Sequence, residues 1–148
     1  MSTALPPIPF VQHGVSVAPP QAPLLALYFS AAWCGPCKAF TPKLAKFYDA
    51  IPRTELEVAF VSLDQNKAAF DEYYSHMPWL AADFDTCDRE ELAGAMGVAA
   101  IPTLIVFRPA TGEIVTLNGK DDVSQLPAPD VLTKWQSCSS SSSSEARN

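Results

Sequence analysis

An α/β fold, a central mixed β-sheet flanked by helices, is what this sequence predicts, and three observations carry the prediction. Short, continuous apolar runs at Leu24–Phe29, Val58–Leu63 and Thr103–Phe107 suit strands covered on both faces. Segments with helical apolar spacing stand between them. Pro109–Gly112 is a turn that returns the third run as a fourth strand, Glu113–Leu117, and this hairpin makes the sheet mixed rather than purely parallel.

The elements follow in chain order. Phe10 to Val17 carries Val11, Val15 and Val17 at odd positions, a period-2 strand signal interrupted at Gly14. Pro19, Pro20 and Pro23 connect it to the first buried run. Phe40, Leu44, Phe47, Tyr48 and Ile51 then fall on one helical face, which predicts a helix over Gly35–Ala50 that bends at Pro42 and stops before Pro52. Ala68–His76 reads as a second helix and Glu90–Met96 as a third, closed by Gly97. A last helix is expected near Val131–Trp135. From Ser137 the chain turns polar, with Cys138 followed by six serines, so residues 1–136 are expected to form a single domain and 137–148 a disordered serine-rich tail.

Composition bounds the chemistry. A chain of 148 residues with 48% hydrophobic side chains is large enough to hold a core without disulfides or a metal, which leaves its four cysteines free to react. Ten Lys and Arg against sixteen Asp and Glu give a net charge of −6, opposite to a nucleic-acid binder's footprint. No apolar run approaches the ~20 residues that cross a bilayer, so no membrane partner is expected. Met1–Phe10 lacks a basic start and is broken by Pro6, Pro7 and Pro9, so no secretory leader is read there and a reducing, cytoplasmic setting is the expectation.

The informative stretch is Trp33-Cys34-Gly35-Pro36-Cys37-Lys38, between the first buried strand and the long helix. A C-x-x-C near a βαβ pattern reads as a redox dithiol. Cys34 is placed where unpaired backbone N–H groups and the helix dipole favour an anion, which can lower a thiol pKa from ~8.5 into a range of about 3.5–7.5. Cys34 is the expected nucleophile. Two intervening residues bring Cys37 back to the same helix end, as the thiol that resolves a mixed disulfide. Gly35 permits close approach of a partner, Pro36 suits a first helical turn, and Trp33 offers an apolar platform. Zinc is the alternative for this pair, but a tetrahedral site needs two more ligands, and Cys87, Cys138, His13 and His76 stand at no ligand-like spacing. No metal and no cofactor are expected. Ala100-Ile101-Pro102-Thr103 precedes the third buried run, where a proline suits the start of a strand.

On these residues the chain resembles the thioredoxin superfamily over roughly Leu24 to Leu117. The cysteine motif reads like thioredoxin's own, Pro42 matches its helix proline, and Ile101-Pro102-Thr103 looks like its cis-proline loop. The resemblance implies a thioredoxin-like fold, with Pro102 cis against the dithiol and the backbone of Ile101 pairing with substrate. Tyr28-Phe29-Ser30-Ala31 and His76-Met77-Pro78-Trp79-Leu80-Ala81 look like the tryparedoxin and nucleoredoxin branch. That branch implies a thiol–disulfide oxidoreductase that reduces disulfide-containing clients such as peroxiredoxin-type peroxidases. Its electron donor would be a low-molecular-weight dithiol, glutathione or thioredoxin reductase. A nucleoredoxin-like module that binds partners under redox control with little turnover is the alternative.

The resemblance is incomplete. Gly35-Pro36 replaces the branch's usual Pro-Pro, while tryparedoxins tend to carry an acid where Gln65 stands and an arginine near Lys120, which weakens the case for trypanothione as donor. The branch's aromatic-proline ending is replaced by the serine tail. Thioredoxins carry a buried acid where Tyr28 stands, so proton transfer from Cys37 would use another base or water. Asp64 is the candidate, against a plain role as a solvated strand-end carboxylate. Cys87 and Cys138 are read as surface thiols, His13 and His76 as lacking a carboxylate partner, and Trp79 as packing.

Overall fold

The computed structural model describes residues 8–137. A seven-stranded mixed sheet, in the order β2-β1-β5-β4-β3-β6-β7, carries helices on both faces. The strands are β1 (Phe10–Gln12), β2 (Val15–Val17), β3 (Leu24–Ser30), β4 (Leu56–Ser62), β5 (Leu80–Ala82), β6 (Thr103–Arg108) and β7 (Glu113–Thr116). The helices are α1 (Gly35–Ala50), α2 (Lys67–Tyr74), α3 (Arg89–Ala95), α4 (Gly119–Gln125) and α5 (Ala128–Ser137).

The centre of the sheet is β3, parallel to β4 and antiparallel to β6, with all seven of its residues buried. Successive side chains of a strand point to opposite faces. Leu24, Ala26 and Tyr28 therefore pack with Phe40, Leu44 and Phe47 of α1, Phe70 and Tyr73 of α2, and Val131 and Trp135 of α5. Leu25, Leu27 and Phe29 pack on the other face with Leu92 of α3 and Met96. Two-sided burial is why β3, β4 and β6 read as unbroken apolar runs. Trp79 is fully buried against Tyr28 and Tyr48, in the packing role expected of it.

Sequence and structure differ at several elements. Phe10–Val17 is two strands, a hairpin turning at His13 and Gly14, both with positive φ. Two consecutive positive φ values are what a two-residue turn needs to match strand twist. β5 and α4 have no counterpart among the expected elements, and α5 extends well beyond Val131–Trp135. Its last residue is Ser137, which composition had assigned to the tail. Helix α1 keeps its expected bounds, Gly35–Ala50, with Pro42 inside it.

α4 enters against β6. A Cβ added at Gly119 would lie 3.0 Å from the Leu104 backbone oxygen and 3.1 Å from its Cδ2. Backbone cannot yield as a flexible side-chain end can. Gly119→Ala is therefore expected to destabilise the fold by roughly 1–3 kcal/mol, read as a lowered urea midpoint with an unchanged slope.

Candidate active site

The site is built where β3 hands the chain to α1. Ala31 accepts the Cys34 N–H at 3.2 Å, and Cys34 is the N-cap of α1, with extended backbone angles of φ −97 and ψ 113. Its carbonyl accepts Lys38 N–H at 3.2 Å and its sulfur accepts Cys37 N–H at 3.3 Å. A sulfur thus fills the position usually held by a Ser or Asp oxygen, at the helix end where backbone N–H groups and the dipole favour negative charge. The expected placement of Cys34 at the first turn holds. Gly35 and Pro36 follow in that turn, both exposed, and a Cβ at Gly35 would meet open space.

The two thiols differ. Cys34 is 7% exposed and Cys37 fully buried, so Cys34 is the less enclosed of the pair. Burial pushes the Cys37 thiol up to about 11, and the adjacent Cys34 sulfur adds to the rise, while contacts from the Ser30 hydroxyl and the Ala31 backbone pull the other way. Cys37 stays protonated at neutral pH.

On the other side of Cys34 the Ile101–Pro102 peptide is cis, as the resemblance implied, and the Ile101 carbonyl lies 3.9 Å from Cys34 Sγ. Pro102 is buried at the start of β6 and Ile101 half-buried. Trp33 stands 66% exposed beside the motif. The structure therefore brings Trp33, Cys34, Cys37, Ile101 and Pro102 to one end of the sheet.

Behind Cys37 lies a group of hydroxyls that the sequence reading missed. Tyr28 donates to the Cys37 carbonyl at 3.1 Å and Thr41 to the same oxygen at 2.9 Å. Thr41 Oγ1 is 2.7 Å from Tyr28 OH and 2.8 Å from Tyr73 OH, which in turn lies 2.9 Å from Ser30 Oγ. Thr41 stands one helical turn after Cys37, a spacing that could have flagged it. Tyr73 arrives from α2 with no local signal.

Several expectations are corrected. Asp64 is no solvated carboxylate: it is 3% exposed, accepting Ala32 N–H at 2.8 Å and Ser62 O–H at 2.8 Å, which commits it to clamping the loop before the motif. Cys87 is not a surface thiol but packs at 7% exposure with Leu92 and Met96, and burial pushes its pKa up. His76 does have a carboxylate neighbour, Glu72, at 3.6 Å one turn earlier on an exposed face. His13 stacks on Tyr74 with ring centroids 4.5 Å apart. Cys138 and the serine tail lie outside the described residues. Among the described residues no group of three His, Cys, Asp or Glu is placed to hold a metal, and no helix is long and apolar enough to cross a membrane.

Comparison with known proteins agrees with this geometry. The family model described as thioredoxin-like matches residues 23–114. The chain belongs to the thioredoxin-like family. This thioredoxin-like chain is 44% identical over 103 residues to the tryparedoxin of Trypanosoma brucei brucei, covering 68% of its own length and 72% of that protein. It is 46% identical over 99 residues to the probable nucleoredoxin 1 of Arabidopsis thaliana, 66% of its own length but only 17% of that much longer protein. Among solved structures, tryparedoxin from Trypanosoma brucei superposes with a TM-score of 0.75 at 37% identity, over 82% of this chain and 87% of that one. A tryparedoxin II complexed with glutathionylspermidine gives 0.74 at 33% identity over 80% and 86%. This is therefore a thioredoxin-like redox protein similar to tryparedoxin and nucleoredoxin, with its two motif cysteines side by side.

Proposed function

We propose that the protein is a tryparedoxin-like protein disulfide reductase. The Cys34 thiolate attacks one sulfur of a client disulfide, forming a mixed disulfide and releasing the other client sulfur as a thiolate. Cys37 then gives up its proton and attacks Cys34 Sγ, which releases the second client thiolate and closes a Cys34–Cys37 disulfide. Two electrons pass to the client. An external thiol donor returns the pair to the dithiol. Trp33, Ile101 and Pro102 form the client-facing rim, with Gly35 and Pro36 supporting the motif. The observation that carries this reading is the Cys34 sulfur, capped by Cys37 N–H at 3.3 Å and faced by the Ile101 carbonyl at 3.9 Å.

Clients are disulfide-containing proteins, peroxiredoxin-type peroxidases among them, in a reducing, cytoplasmic compartment. The donor is a low-molecular-weight dithiol, glutathione or thioredoxin reductase. The neighbour bound to glutathionylspermidine supports a small thiol donor, whereas Gln65 and Lys120 argue against trypanothione. Reduction of insulin disulfides, with each donor supplied in turn, tests the reading, and the expected result is multiple turnovers with at least one of them.

The similarity to nucleoredoxins favours a second reading, a redox-controlled binding module using the same rim, with Trp33 as its exposed contact. Stoichiometric capture of a protein partner without turnover would replace the first reading by this one.

A further inference from the structure

The end of β4 is braced by a residue outside both the dithiol motif and the cis-proline loop. β5 pairs with β4 only at Ala59 and Phe60, so from Val61 onward β4 has no strand on that side. Arg89, the first residue of α3, fills the gap. Its Nη1 donates to the Ser62 carbonyl at 2.6 Å and to the Asp64 carbonyl at 3.3 Å, and its guanidinium lies 3.9 Å above the Phe84 ring. The C=O and N–H of a trans peptide point opposite ways. On the far side of the Ser62–Leu63 peptide, the Leu63 N–H donates to the Ser30 carbonyl at 2.9 Å, and the Asp64 carboxylate then accepts Ala32 N–H at 2.8 Å. We propose that Arg89 is a positioning residue for the client groove: by holding the end of β4 it fixes Ser30 and Ala32, which flank the Ala31 carbonyl that accepts the Cys34 N–H, and so sets Cys34 Sγ against the Ile101 carbonyl. The inference deepens the disulfide-reductase reading above and rests on it.

The two walls of the groove come from different parts of the chain. One is the turn from Ser30 to Cys34. The other is Ile101, which the chain reaches from α3 through Gly97, whose N–H bonds the Gly94 carbonyl at 3.1 Å, and Val98, whose N–H bonds the Ala93 carbonyl at 2.9 Å. Arg89 stands at the start of α3 and binds the carbonyls that brace the first wall, so it joins the two. Between them, Cys34 Sγ and the Ile101 carbonyl oxygen are 3.9 Å apart. A misplacement of about 1 Å can cost a positioned reaction on the order of a hundredfold, so a brace on that gap matters to a client that must touch both walls. Hydrogen bonds from a charged donor are also stronger than neutral ones. Both bonds leave from one nitrogen, and the buried Nε has no hydrogen-bond partner among the described residues, so the brace is a point contact and not a two-pronged fork.

Arg89→Met tests this, because it keeps a long stem over Phe84 and removes the donor. The KM for insulin should rise about five- to twentyfold with kcat held within about twofold. Attack on dithiobis-nitrobenzoate, a disulfide too small to engage both walls, should change by about twofold at most. Amide hydrogen exchange at Ala32 and Leu63 should quicken by about tenfold or more, while that of Leu27 in the middle of β3 stays level. Arg89→Lys, one bond shorter but still a cationic donor, should recover part of both losses. A folded Arg89→Met variant with an unchanged insulin KM, with insulin and the small disulfide impaired alike, or with unchanged exchange at both amides overturns the proposal. If Arg89→Met does not fold, Arg89→Gln takes the same measurements against the same outcomes. Failure of the unaltered protein to reduce insulin would remove the reductase reading, and the exchange comparison alone would then decide whether Arg89 holds the loop.

Discussion

Cys34→Ser is expected to abolish disulfide reduction, with turnover lost on the order of a thousandfold or more, the scale on which removal of a nucleophile acts. The chemical reason is that a hydroxyl is far harder to ionise than a thiol and forms no disulfide. The structural reason for trusting the variant lies in the cap. Cys34 is the N-cap of α1, and serine is among the residues that cap helices best, so its oxygen can take over the Cys37 N–H now held by sulfur at 3.3 Å. The thermal midpoint should stay level or rise while activity disappears. Retained insulin reduction by a folded Cys34→Ser protein would sink the assignment. If Cys37→Ser alone lost the first attack, the two roles would be reversed.

How much of this was legible follows from how local each feature is. β3, β4 and β6 announce themselves because burial on both faces writes an apolar run into consecutive residues, and α1 because one face repeats along sixteen residues. β5 is three residues long, too short to show a period, and exists because Ala59–Phe60 of β4 and Phe10–Val11 of β1 offer partners on its two sides. α4, with Val123 as its single large apolar residue, is held by the fit of Gly119 over Leu104, which no pattern announces. The site divides in the same way. The dithiol was readable from six consecutive residues. The hydroxyl path was not, because Tyr73 meets Ser30 across 43 positions and Thr41 across 32. Asp64 was misread for a related reason: its partner, the Ala32 N–H, comes from a loop 32 positions away.

Cys37→Ser should leave the first attack intact and accumulate mixed disulfides between Cys34 and its client, seen as adducts on a non-reducing gel that dithiothreitol dissolves. The reason is an asymmetry that changes during the reaction. In the reduced protein Cys37 has a pKa of about 11, raised first by burial and then by the sulfur of Cys34. At pH 7 only about one molecule in 10⁴ then carries a Cys37 thiolate. Once Cys34 is bonded to a client it can no longer carry the charge that opposed its neighbour, so the second cause falls away at the moment the resolving thiolate is needed. Burial alone still opposes ionisation, and resolution by the unaltered protein should therefore accelerate as pH rises from 7 towards 10. The same shift links to stability. Between the ordinary thiol value of 9.0 and about 11 the folded reduced protein keeps a proton that the unfolded chain has lost. The stability of the reduced form should be full below pH 9 and fall as pH climbs through that window, a loss that should be smaller in the Cys37→Ser variant, where buried Cys87 and the buried tyrosines still contribute their share. Absence of trapped adducts in that variant, with Cys34 still reactive towards a small disulfide, would mean that another thiol resolves the intermediate, and buried Cys87 would be the next cysteine to replace.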